Sequence, residues 1–180
     1  MDKDHSQFQQ FMEEVISEDA MIERLKKANE EISKIDTLAN ITEYYKGIIQ
    51  LIRDISSTVL YMDGLDLELQ IPVLWDRLLD TIVGYSLFLH TVPGELVEKA
   101  PLPEFYKTKT MDFMIQNNLH MCFTILGTLQ TTNRQKVIEF YREEGNEAGE
   151  GMRNYLEHSK ELIAYLDFIG IGDKVEEKDL

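Results

Sequence analysis

The sequence predicts an all-α protein, a multihelical bundle of about five main helices with the third and fourth most buried. Three observations carry that prediction. Apolar residues recur at three- and four-residue spacing along most of the 180 residues, which is the helical period. Gly and Pro gather at a few points between these runs and punctuate them. One segment alone, Leu65–Ile71, alternates apolar and polar, and no second alternating run exists to pair with it.

In the first region, Phe8, Met12, Val15, Ile22, Leu25, Ile32 and Ile35 follow one stripe. Ser17, followed by Glu18 and Asp19, reads as an N-cap with first-turn acids, so the region divides into a short helix and a longer one. Asp36 to Asn40 is a break, and Asn40 with Glu43 resembles a capping box. The second helix runs from about Ile41 to Met62, and Asp63-Gly64 ends it. Leu65–Ile71 reads as an extended connector, because a lone strand cannot satisfy its ladder. Pro72 then suits the first turn of a third helix reaching about Thr91. Leu74, Leu78, Ile82, Tyr85 and Leu89 form one of its faces, and Trp75, Leu79, Val83, Leu87 and Phe88 fill much of the rest. A helix apolar nearly all round is a buried one.

A loop follows from Val92 through Pro103, with room for one short helix before the fourth, at about Met111–Gln130. Thr132 or Asn133 caps the fifth, which reaches about Ile169 before Gly170-Ile-Gly172. Gly145, Gly149 and Gly151 leave two continuations open. Either the fifth helix is unbroken and its small face admits a close neighbour, or it breaks between Gly145 and Gly151. The chain reads as one helical domain, with residues 1–5 and 173–180 frayed.

An apolar content of 43% fits a globular chain, and the formal net charge is −15. That charge disfavours nucleic acid and anionic membrane surfaces, and no basic cluster offsets it. The polar N-terminus and the lack of a run of about 20 strongly apolar residues place the protein in the cytoplasm. The single cysteine, Cys122, lies in an apolar context and reads as a small core residue. Nothing in the residue pattern calls for a cofactor or a metal: the four histidines are scattered, and Glu-x-x-His, phosphate-loop and nucleophile-elbow patterns are absent.

Two polar strips carry the candidate chemistry. Phe113–Asn133, 21 residues long, contains no Lys, Arg, Asp or Glu in a chain rich in them. Within it Asn117, His120, Thr124, Thr128 and Thr131 share a face. Three readings follow: a seam hydrogen-bonded against a neighbouring helix, a homo-oligomer interface, or the lining of a small-molecule pocket. The first is favoured. On the third helix, Asp76, Asp80 and His90 lie near one side with Arg77 adjacent, and Arg77 and Asp80 can pair at i,i+3. If the third and fourth helices are central, Asp76, Arg77, Asp80, His90, Asn117, His120 and Thr124 could converge into a ligand pocket. Glu143, Glu147 and Glu150 form an acidic ridge that reads as a solvated face.

Function is therefore framed as a non-enzymatic binding or assembly protein forming a homodimer. The alternatives are an enzyme or small-molecule- or metal-binding domain using that pocket, and an acidic module that binds a basic protein.

Overall fold

The computed structural model describes residues 2–61, 64–92, 111–131 and 133–176. These form seven helices: α1 (Asp2–Val15), α2 (Glu18–Ile32), α3 (Leu38–Tyr61), α4 (Gly64–Thr91), α5 (Met111–Thr131), α6 (Arg134–Arg142) and α7 (Glu147–Glu176). The protein is an all-α multihelical bundle, with two more helices than the five main ones read from the sequence. The loop expected from Val92 to Pro103 lies outside the described residues from Pro93 onward. So do Met62, Asp63 and Thr132, and the outermost residues 1 and 177–180.

The bundle is organised around α3, which touches α4, α5, α6 and α7 and packs most extensively against α7. Its apolar residues recur at three and four, so Ile41, Tyr45, Ile48, Ile52, Ile55 and Val59 all reach the core. Ile52, Ile55 and Val59 are fully buried, and truncating any of them to Ala would cost on the order of 2–5 kcal/mol. From α4 and α5, Leu67, Ile71, Trp75, Leu78, Ile115, Cys122 and Ile125 join the same cluster. Helix α2 lies along α4, and α1 rests against α5 and α2. Among the described residues no helix is long and apolar enough to cross a membrane.

Caps explain most of the boundaries. Ser17 Oγ accepts from the Ala20 amide at 3.3 Å, and Asn133 Oδ1 accepts from the Lys136 amide at 3.3 Å, as expected of N-caps. The cap of α3 is not the expected Asn40 but Thr37, whose Oγ1 accepts from the Asn40 amide at 3.2 Å. Asn40 Nδ2 instead donates back to the Lys34 carbonyl at 3.0 Å, which ties down the turn before the helix.

The expectation of an extended connector at Leu65–Ile71 is corrected: the segment is helical and belongs to α4. Leu67 and Ile71 are buried, and they continue into Leu74, Trp75 and Leu78 at helical spacing, whereas Leu69 is 81% exposed. The alternation was thus a helical stripe plus one outward leucine. Pro72 accordingly sits inside the helix rather than at its start. It lacks the N–H that would reach the Glu68 carbonyl, and core contacts on both sides carry the helix past that gap.

The fifth predicted helix resolves into two. Residues 143–146 break it, and Gly145 takes the positive φ of 79° that the turn needs. Asn146 Oδ1 accepts from the Ala148 and Gly149 amides at 3.0 and 3.3 Å, capping α7. Gly149 permits the close return of the chain, because a Cβ there would lie 2.1 Å from the Tyr141 carbonyl oxygen. Two arginines then satisfy exposed carbonyls at helix ends. Arg153 Nη2 donates to the Arg142 carbonyl at 3.0 Å, and Arg142 Nε donates to the Val59 carbonyl near the end of α3 at 3.1 Å. Gly170 and Gly172 do not stop α7, which continues to Glu176.

Candidate functional site

The strip on α4 faces α2. Arg24, whose side chain is only 9% exposed, reaches both acids: Nη2 lies 2.6 Å from Asp76 Oδ1, and Nη1 donates to Asp80 Oδ1. Lys27 Nζ completes Asp80 from the other side, 2.7 Å from Oδ2. Burial alone would raise the Asp80 pKa, but the hydrogen bonds from Lys27 and Arg24 outweigh it and hold the carboxyl below its ordinary range. The expected Arg77–Asp80 pairing is corrected by the same geometry. Asp80 is taken by α2, and Arg77 Nη2 turns to Asp54 Oδ2 on α3 at 2.9 Å.

These acids make a poor cation site, since an ion between them would have to displace a guanidinium and an ammonium. Among the described residues no three His, Cys, Asp or Glu gather as a ligand set. His90 stands apart at the far end of α4, exposed, with Nδ1 2.7 Å from the Ser86 carbonyl.

Two shallow grooves adjoin this strip. One, of about 330 Å³, lies between α2, α3 and α4, with Gly47, Ile48 and Gly84 in its lining and Lys27, Glu31, Glu43 and Asp80 among its charged groups. The second, of about 360 Å³, is lined by Asp54 and Thr58 of α3 and by Leu69, Val73 and Arg77 of α4. Arg77 borders both, and Asp80 borders the first. Asn117, His120 and Thr124 line neither, so the structure does not gather the seven candidate residues around either groove.

Those three residues are exposed on the outward side of α5. The favoured expectation, a seam buried against a neighbouring helix, is therefore corrected. The core side of α5 is filled by Ile115, Leu119, Cys122, Ile125, Leu126 and Leu129. The threonines need no neighbouring helix for their hydroxyls. Thr124 Oγ1 donates to the His120 carbonyl at 3.1 Å, and Thr128 Oγ1 to the Thr124 carbonyl at 2.7 Å. Beside Asn117, His120 and Thr124 stand exposed Gln116, Phe113 at 52% and Phe123 at 42%. Phe123 is held edge-on against Trp75 of α4, ring centroids 5.1 Å apart. The result is an outward helical face with two phenyl rings, several amides and hydroxyls, and no charge.

A third cluster escaped the sequence. The Tyr85 hydroxyl donates to Asp112 Oδ1 at 2.6 Å, and the Tyr45 hydroxyl donates to the same oxygen at 3.3 Å. Burial, and then Asp112, push both phenols far above their ordinary pKa, so they remain donors. Tyr44, Tyr45 and Tyr85 all pack on Phe88, with Tyr44 stacked at 4.7 Å. The cluster pins the N-terminus of α5 to α3 and α4. The one available signal was Asp112, the last acid before the uncharged stretch. Of the acidic ridge, Glu143 lies in the turn, while Glu147 and Glu150 sit in the first turn of α7, where the helix dipole favours them.

Comparison with known protein families, with characterised proteins and with solved structures finds no match to this chain.

Proposed function

We propose that this is a non-enzymatic assembly protein that self-associates through the outward face of α5. The supporting observation is that face: exposed Phe113, Gln116, Asn117, His120, Phe123 and Thr124, within 21 residues that carry no Lys, Arg, Asp or Glu. Exposed helical positions ordinarily attract Lys and Glu, and this chain has 51 charged residues to place elsewhere. Two copies of a chain of net charge −15 repel wherever their acids meet, because like charges brought together oppose association. Through the face from Phe113 to Gly127 they bring together none. A basic partner would find no carboxylate there to pair with.

From Phe113 to Gly127 the face is about 21 Å long, so the contact falls at the small end of specific interfaces and the association is of moderate strength. The compartment proposed is the cytoplasm. Nucleic acid and anionic membranes are disfavoured as partners by the net charge. Sedimentation equilibrium over a concentration series tests the proposal. The expected mass rises from 21.0 kDa toward twice that value. A constant monomer mass up to the highest concentrations would contradict it.

The groove between α2, α3 and α4 favours a second reading, binding of a small polar molecule. Its volume is at the lower bound of ordinary ligand pockets, roughly 300 Å³, and of its charged groups Lys27 and Asp80 pair with each other while Arg77 is held by Asp54. A Cβ at Gly47 meets nothing within 4 Å, so Gly47→Leu would fill the groove without disturbing the fold. A thermal shift with a polar metabolite that is lost in Gly47→Leu would support this reading. No shift across a metabolite panel would count against it.

A further inference from the structure

We propose that the groove between α2, α3 and α4 binds a small organic amine, its ammonium held by the Glu31 carboxylate and the Tyr44 hydroxyl. This rests on the second reading above, a small polar ligand in that groove, and names the ligand's class.

Charge decides the class. Both cations that line the groove are already held: Lys27 Nζ lies 2.7 Å from Asp80 Oδ2, and Arg77 Nη2 lies 2.9 Å from Asp54 Oδ2. An anion entering there would compete with two carboxylates for the same donors. The remaining acids of the lining are less well matched. Glu43 has Lys46 Nζ 3.8 Å away, close to the limit of an ion pair, and the same ammonium also engages Asp167. Glu31 is exposed and forms no ion pair among the described residues. The charge left over in the groove is therefore negative. The net charge of −15 adds a field that draws cations toward such a cleft.

The Tyr44 hydroxyl is the second observation. It has no hydrogen-bond partner among the described residues, although its neighbours Tyr45 and Tyr85 both bond Asp112. Stacking on Phe88 at 4.7 Å fixes the Tyr44 ring. Gly84 makes room for the hydroxyl, since a Cβ there would lie 3.3 Å from its oxygen. Burial, and then Glu31, hold the phenol above its ordinary pKa, so it keeps its proton at neutral pH. A neutral hydroxyl accepts one ammonium N–H while the carboxylate accepts another. Ile48 and Leu51 line the same groove and offer apolar surface to a short carbon chain. A volume of about 330 Å³ restricts the ligand to a small one.

Chemical-shift titrations of the isotope-labelled protein test the class, with hexylamine, n-hexanol and hexanoate as probes: one chain length with three head groups. Salt at about 0.15 M screens diffuse attraction to the acidic surface. Hexylamine is expected to give saturable shifts at the Gly47 and Gly84 amides, and the alcohol and the acid none. Glu31→Gln, its fold checked by circular dichroism, should weaken binding about tenfold and Tyr44→Phe by a smaller factor, and Gly47→Leu should abolish it. Binding of hexanol or hexanoate as tight as that of the amine, and lost in Gly47→Leu, would overturn the amine class and leave a groove ligand standing. Hexylamine shifts that survive Glu31→Gln or Gly47→Leu unchanged would place the amine elsewhere on the acidic surface and overturn the proposal. No saturable shift with hexylamine would overturn it too, and joined to a silent metabolite panel would remove the second reading with it.

Discussion

Helix α4 meets α2 through charge, while α5 turns a face without charge to solvent. At the first contact, Asp76 and Asp80 lie against Arg24 and Lys27, and the ionic groups largely satisfy one another within the chain. Such a region gives orientation to two packed helices and has little left to offer a ligand. At the second, no Lys, Arg, Asp or Glu is present over 21 residues, although the chain elsewhere averages more than one charged residue in every four. On the self-association proposed above, the uncharged face is where a second copy would approach.

Substitutions should separate the two regions. The largest effect is expected from Arg24→Ala. Removing one partner of a fully buried ion pair costs roughly 3–5 kcal/mol. Here Asp76 is 61% exposed, so water recovers part of the loss, and about 2 kcal/mol is expected. Urea melts should show that loss, with the sedimentation behaviour unchanged.

Gly127→Ala should stabilise the fold by about 1 kcal/mol through helix propensity, a gain that urea melts would show.

A smaller effect concerns pH. The Asp80 carboxyl titrates lower in the folded chain than in the unfolded one, because Lys27 and Arg24 outweigh the effect of its burial. Its stabilising contribution is fully present above the ordinary carboxylate value, about pH 4, and is lost as pH falls from there through the lowered folded-state value. Melts of Asp80→Asn and wild type should therefore stay apart by a constant amount above about pH 4 and begin to converge only below it. Curves that stayed parallel below that pH would count against the pairing.

The helical class and most helix cores were legible because burial at three- and four-residue spacing leaves a direct trace in the order of residues. Ser17 and Asn133 were legible as caps for a local reason: each bonds an amide three residues on. Leu65–Ile71 was misread because apolar alternation over seven residues contains an i,i+4 pair. Leu67 and Ile71 join a core that only the later residues Leu74 and Trp75 reveal. The ion partners of Asp76 and Asp80 lie more than fifty residues away on α2, beyond any local spacing, so the nearer Arg77 was the wrong choice. The Tyr45–Asp112–Tyr85 cluster draws on three helices and left no periodic mark. The uncharged stretch was plain in the sequence, but its orientation was not. A polar seam on an apolar helix suits a buried contact as well as an exposed one, and which side faces out depends on where α3 and α4 pack.

The most direct test of the account is sedimentation equilibrium of the double variant Asn117→Glu, Thr124→Glu beside wild type. Each substitution replaces an exposed side chain, so stability should stay within about 0.5 kcal/mol of wild type. A monomer of about 21.0 kDa is expected at concentrations where wild type is dimeric. A double variant that dimerises as readily as wild type would contradict it.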